Sequence, residues 1–215
     1  MFPHPARRVP VSAIRYLALG DSFTIGTGIA RESAFPAVLA RRWAARGLAC
    51  DLVNPSVNGF TTDDLIRAEL PLVAGAHPTL VTLLIGANDI VRGSSEERYR
   101  AQLRRIHDAL RATHVDPAAL HALPQPDWSL SPAGAAFGDP RDIARTIERF
   151  NLVAREEAER RGSRYIDLFP LMREQARAAM LAADGLHPSA EAHAQWAERL
   201  DALLIPGPPP GSLRP

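Results

Sequence analysis

Short apolar runs alternate along this chain with longer stretches of helical period. Ile14 to Leu19 predicts a short buried strand that ends in Gly20-Asp21-Ser22, followed by a loop rich in Gly26, Thr27 and Gly28. Phe35, Val38, Leu39 and Trp43 share one helical face, and Gly47 suits the stop of that helix. Cys50–Val53 reads as a second strand, closing on Asn54-Pro55-Ser56-Val57-Asn58-Gly59. Thr61-Thr62-Asp63-Asp64 then places hydroxyls and carboxylates where a helix start and its dipole favour them, and Pro71 is expected to kink or divide the helix.

Leu80 to Ile85 is the clearest strand, an apolar run interrupted only by Thr82, as for the centre of a parallel sheet covered on both faces, and it ends in Gly86-Ala87-Asn88-Asp89. Ser94 and Glu97 have capping-box spacing ahead of a stripe of Tyr99, Leu103, Ile106 and Leu110. A weaker strand is expected within 114–123, interrupted by Pro117, and a long loop over 124–141. A helix over 141–161 groups Ile143, Ile147, Phe150 and Ala154. A strand over 164–168 and a short helix over 171–180 lead to Ala183-Asp184-Gly185-Leu186-His187-Pro188, and a last helix carries Trp196, Leu200 and Leu203. Strands alternating with helices predict an α/β fold with a parallel sheet sandwiched by helices. The divisions read as an irregular lead-in over 1–13, one domain over 14–205 and a Pro/Gly-rich flexible tail over 206–215.

Composition narrows the function classes. The 215 residues suit one core; 46% hydrophobic and 23% charged residues suit an ordinary globular chain, and a net charge of +1 gives no footprint for nucleic acid. All 25 basic residues are Arg, so no lysine is present for Schiff-base or phosphate-clamping chemistry. The lone Cys50 excludes an intramolecular disulfide. No apolar run approaches the ~18 residues of a membrane span, and no apolar segment precedes the first strand as in a secretory signal, so a cytoplasmic setting is expected. Oligomeric state has no sequence signal. His77, His107, His114 and His121 lack metal-site spacing, so neither metal nor cofactor is expected. His193 reads as solvated, Trp43 and Trp196 as helix-to-sheet packing, and Arg155 to Arg164 as a solvated face.

The loops that follow the predicted strands carry reactive groups: Ser22, Asn58-Gly59, Asn88 and the pair Asp184/His187. In a doubly wound sheet such loops gather at one edge. Acyl transfer there needs a hydroxyl nucleophile, an imidazole to move its proton, a carboxylate to fix the imidazole and donors for the oxyanion. Ser22, His187, Asp184 and the set Ser22, Gly59 and Asn88 supply them in that order, with Asp21, Asn58, Asp127 and Trp128 as candidate substrate contacts. Two other readings stay open: a flavin mononucleotide carrier that uses the hydroxyl- and Gly-rich stretch after Ser22 as a phosphate cradle, and a catalytically silent binding module.

Gly20-Asp21-Ser22-Phe23, Asn58-Gly59, Gly86-Ala87-Asn88-Asp89 and Asp184-Gly185-Leu186-His187-Pro188 stand in the order of four sequence blocks. On them the chain resembles the SGNH, or GDSL-type, hydrolase superfamily over about residues 14–205, with Phe23 where the name-giving motif has Leu and Asn58 where relatives often have a small residue. The resemblance implies a flavodoxin-like three-layer α/β/α sandwich with a five-stranded parallel sheet. It implies a cofactor-independent serine ester hydrolase acting on small-molecule esters: Ser22 as nucleophile, His187 as base, Asp184 as its orienter and Ser22, Gly59 and Asn88 as oxyanion hole. No Gly-x-Ser-x-Gly elbow is present, since Thr24 occupies the last position. Small or short-acyl esters are the expected substrates.

Overall fold

The computed structural model describes residues 14–204; the predicted lead-in over 1–13 and tail over 206–215 lie outside them. Strands β1 (Ile14–Gly20), β2 (Cys50–Val53), β3 (Leu80–Leu84), β4 (Leu120–Ala122) and β5 (Arg164–Tyr165) form one sheet in the order β2-β1-β3-β4-β5. Every pairing is parallel. This is the flavodoxin-like order, and its direction of winding reverses between β1 and β3, the point where such sheets open a crevice at their carboxyl edge.

β1 and β3 explain the two-sided core. Their side chains alternate, so Tyr16, Ala18, Leu80 and Leu84 enter one apolar cluster while Leu17, Leu19, Val81 and Leu83 enter the other. The first cluster is closed by α2 (Phe35–Ala45), α8 (Phe169–Arg177) and α9 (Ala190–Leu204). The second is closed by α3 (Thr62–Ala68), α4 (Leu70–Ala76) and α6 (Glu96–Ala112). α7 (Pro140–Arg160) reaches both, through Ile143 and Ile147 on one side and Phe150, Val153 and Ala154 on the other. Two one-turn helices sit at the crevice, α1 (Ser22–Ile25) and α5 (Ala87–Val91).

Several boundaries differ from the sequence reading, each for a local reason. Pro71 divides the second helix as expected, because a proline within the first turn of α4 can start a helix but not continue one. Thr61 and Asp64 form a full capping box at α3. The cap of α6 is Ser95 rather than Ser94: Ser95 Oγ accepts the Arg98 N–H at 3.2 Å. β4 and β5 shrink to the residues that find a partner strand, and Phe169 opens α8 two residues ahead of the predicted start. The stretch over 124–141 is not an open loop. It holds 3-10 turns at Trp128–Leu130 and Pro132–Phe137, is tied to α7 by paired bonds between Gln125 and Asn151 (2.9 and 3.0 Å), and ends at Asp139, which caps α7.

His193 is the clearest correction. The predicted solvated residue is fully buried, stacked on Phe35 and tilted against Trp196. Its Nδ1 accepts the Phe35 N–H at 3.1 Å. Ala34, at the N-cap of α2, has no side chain able to cap, so an imidazole from α9 satisfies a donor that would otherwise be left open. Burial lowers the pKa of His193 to about 3, so the ring is neutral. Trp43 and Trp196 pack inside as expected, and Asp201 of α9 accepts from Trp43 Nε1 at 2.8 Å.

Candidate active site

The turn that carries Ser22 is dictated by its neighbours. A Cβ on Gly20 would lie 2.3 Å from the Leu84 carbonyl oxygen, so only glycine lets β1 run this close to β3 before turning. Asp21 caps α1 through Oδ1, which accepts the Phe23 N–H at 3.0 Å. Thr24 and Ile25 donate to the Asp21 carbonyl, and Gly26 and Thr27 donate to that of Ser22. Ser22 thus occupies the first position of a one-turn helix. Among the described residues neither its Oγ nor its own N–H has a hydrogen-bond partner, while the amides of residues 23–27 are all spent. The phosphate-cradle reading of this stretch needs those amides, and they are not available to a ligand. Gly28 has a different use: a Cβ there would lie 2.8 Å from Ala182 and 3.1 Å from Asp184 Oδ2. The glycine admits the segment that carries Asp184.

That segment is a tight hairpin from Met180 to Ser189. Leu181 and Pro188 bridge antiparallel, Ala182 N–H donates to the His187 carbonyl at 2.7 Å and Ser189 N–H to that of Met180 at 3.0 Å. Asp184 Oδ1 accepts the N–H groups of Leu186 (2.9 Å) and His187 (3.0 Å), and its Oδ2 lies 2.7 Å from His187 Nδ1. A carboxylate can only accept, so Nδ1 carries the proton and Nε2 is left as the basic nitrogen. Burial works to raise the Asp184 pKa, but the bonds from His187 and the two amides outweigh it and hold the carboxyl below its ordinary range.

Three further groups follow strands β2 and β3; Asn88 lines the cavity, and Gly59 and Asp89 are not among its lining residues. Gly59 has φ of +86°, a left-handed conformation that glycine adopts freely, and its N–H has no partner among the described residues. Asn88, in α5, donates one Nδ2 hydrogen to the Phe60 carbonyl at 2.9 Å, which pins the Gly59 loop and leaves the second hydrogen for the cavity. Asp89 accepts from Thr62 N–H and Oγ at 2.9 and 2.6 Å, fixing α5 to α3.

Ser22, Asn58, Asn88 and His187 line one cavity of about 250 Å³, whose apolar wall includes Val91, Trp128, Phe137 and Leu186. No Ser22–His187 hydrogen bond is closed; such bonds are often long before substrate binds. Of the predicted substrate contacts, Asn58 and Trp128 reach the cavity and the other two do not. Asp21 is wholly buried beneath the turn. Asp127 is buried with its carboxylate 3.1 Å from Arg173 Nε, facing α8, because an unpaired charge could not stay inside. Val91, Phe137 and Leu186 were not singled out from sequence; Phe137 lies in the stretch whose path periodicity could not trace. Among the described residues no three His, Cys, Asp or Glu side chains are grouped to hold a metal, and no helix is long and apolar enough to cross a membrane.

Sheet order defines a doubly wound α/β protein with a crevice at the carboxyl edge of its sheet. Residues 18–195 match the GDSL-like Lipase/Acylhydrolase family, and the chain belongs to that family. It is 27% identical over 192 residues to Esterase TesA of Pseudomonas aeruginosa, covering 88% of this chain and 87% of the relative. It is 31% identical over 102 residues to Thioesterase 1/protease 1/lysophospholipase L1 of Escherichia coli, and that match spans 47% of each protein, about half the relative's length. A crystal structure of TesA superposes with a TM-score of 0.72 at 26% identity over 89% of this chain and 98% of the other.

Proposed function

We propose that the chain is a serine ester hydrolase, with residues 14–205 as its hydrolase domain and an acyl-enzyme formed on Ser22. The observation that carries this reading is the Asp184–His187 pair, which leaves Nε2 basic in the same cavity as an unpartnered Ser22 hydroxyl. Ser22 Oγ attacks the acyl carbonyl as His187 Nε2 takes its proton. The alkoxide leaves with that proton, and water repeats the sequence to release the acid. Charge on the tetrahedral oxygen is met by the N–H groups of Ser22 and Gly59 and by the free Asn88 Nδ2 hydrogen. Asp184 keeps the proton on Nδ1 and stabilises the imidazolium. Family membership and the esterase relatives support the same chemistry. Labelling by a fluorophosphonate probe tests the reading; folded protein that takes up no label and hydrolyses no ester would be the silent module instead.

Asn88→Ala is expected to lower kcat by roughly 10²–10³-fold, the cost of one oxyanion donor. Because the contact tightens only as charge develops, kcat carries the loss. A change confined to KM would leave Asn88 as the anchor of the Phe60 carbonyl and nothing more.

The small cavity with its aromatic wall supports short-acyl or small esters as substrates. Phe137 stands edge-on to Trp128 at 5.8 Å and is half-exposed at the cavity mouth. In a p-nitrophenyl ester series from acetate to palmitate, activity is expected to favour the short end. Phe137→Ala is expected to raise the octanoate-to-acetate ratio of kcat/KM by roughly 5–10-fold, within the range that a few methylenes of pocket contact contribute. An unchanged ratio would place the acyl chain elsewhere.

A further inference from the structure

Glu69 lies at the junction of α3 and α4, fully buried. Its Oε2 accepts the N–H of Gly20 at 3.0 Å, two residues before the nucleophile, while Oε1 has no partner. Asp21, equally buried, has Oδ1 on the Phe23 N–H and Oδ2 without a partner. The two backbone bonds that flank Ser22 therefore end on two carboxyl groups that each keep one inaccessible, unsatisfied oxygen.

Among the described residues neither group has a cation as partner. From α5, Asp89 acts on Asp21 as a further negative charge, and its own oxygens are already held by Thr62. From α6, Tyr99 is buried, and its hydroxyl donates to the Ile85 carbonyl at 2.8 Å, so that proton is committed. From α1, the Thr24 hydroxyl faces the Leu84 carbonyl at 3.5 Å. From β1, Tyr16 pairs with Thr82 on the other side of the sheet. Two buried anions without a positive partner are costly inside a protein, and one proton on the pair removes most of that cost.

We propose that Asp21 and Glu69 together carry one proton at neutral pH, and that this carboxyl–carboxylate pair is the positioning element that holds the Gly20-Asp21-Ser22 turn. Burial acts on both in the required direction, raising Glu69 to about 8 and Asp21 to about 7. Loss of the proton leaves two repelling charges on the bonds to Gly20 and Phe23, and the turn between them yields. The consequence for catalysis rests on the hydrolase reading; the proton on the pair does not.

Thermal unfolding between pH 5 and pH 9 tests the pair without substrate. A carboxyl whose folded pKa is raised contributes stability that is complete below its unfolded pKa and is lost as pH rises through the folded value. For Glu69 that window runs from 4.5 to about 8. Glu69→Gln keeps an acceptor for Gly20 but cannot titrate. The Tm of the variant minus that of the wild type is expected to rise by roughly 3 °C or more from pH 5 to pH 8. Asp21→Asn, which removes the other titrating member, is expected to behave alike. In difference infrared spectra, a protonated carboxyl band is expected in the wild type at pH 7 and weakened in Glu69→Gln, where only Asp21 remains to titrate. If Glu69→Gln does not fold, Asp21→Asn and the wild-type band decide. In kcat/KM, the alkaline fall of the wild type is expected to move to higher pH in Glu69→Gln. Superimposable Tm profiles for wild type and variants, or no protonated carboxyl at pH 7, overturn the proposal, even if every ester tested is hydrolysed. Failure of all esters with the Tm shift intact would instead overturn the hydrolase reading.

Discussion

Ser22→Ala is expected to abolish fluorophosphonate labelling and to lower kcat for p-nitrophenyl acetate by roughly 10⁴-fold or more, leaving only what the oxyanion donors and binding supply. The fold should not respond. Ser22 Oγ makes no hydrogen bond that the protein depends on, its carbonyl still receives Gly26 and Thr27, and alanine is well suited to the first position of a helix. Circular dichroism should superimpose on the wild type, and stability should stay within about 0.5 kcal/mol. That contrast distinguishes a nucleophile from a structural serine, whose loss would move stability and rate together. A variant that kept a tenth of the wild-type rate would remove Ser22 from the reaction, and with it the mechanism assigned to this crevice.

The fold was legible wherever a residue's environment is set by near neighbours in sequence. β3 is apolar on both faces because both faces are covered, and the helices with a clear stripe bury it. Legibility ended where the determining partner lies far along the chain. His193 is six residues from His187 and shows no local mark of burial, because the donor it satisfies belongs to Phe35. The stretch over 124–141 was unreadable for the same reason. Its polar groups are met by Asn151 of α7 and by the hairpin, where Ala133 N–H donates to the Gly185 carbonyl at 3.2 Å. Neither bond leaves a periodic trace.

The candidate site divides along the same line. Ser22, Asn88, Asp184 and His187 were visible because, although each alone is ordinary in a loop, the set and its order are informative. Asp127 was misplaced because a carboxylate beside Trp128 looks like a ligand contact until Arg173, forty-six residues on, is brought against it. The Gly-rich run after Ser22 resembled a phosphate loop, but Gly28 is small because Asp184 must pass beside it. Glu69 carried no signal at all, since a carboxylate at the end of a helix is ordinarily solvated.

Asp184→Asn is expected to cost roughly 10⁴-fold in kcat while leaving the hairpin intact, because it changes which imidazole nitrogen carries the proton. Two amides already fix the side chain: Oδ1 receives Leu186 and His187 N–H groups, and an asparagine must present its oxygen there. The NH₂ group is then forced toward His187 Nδ1 in place of the Oδ2 that stands at 2.7 Å. A donor facing Nδ1 requires that nitrogen to accept, so the proton moves to Nε2, the atom that must take the Ser22 hydroxyl proton. The ring keeps its place and loses its function. The native carboxyl lies below its ordinary range, so it stays ionised through neutral and mildly acidic pH and the productive tautomer is held throughout. Fluorophosphonate labelling should slow in parallel with turnover, since both need an activated Ser22, whereas the Tm at pH 7 should change by only a few degrees. A rate within tenfold of the wild type in Asp184→Asn would mean that something other than this carboxylate orients His187, and Asp184 would then be no more than the cap of its own turn.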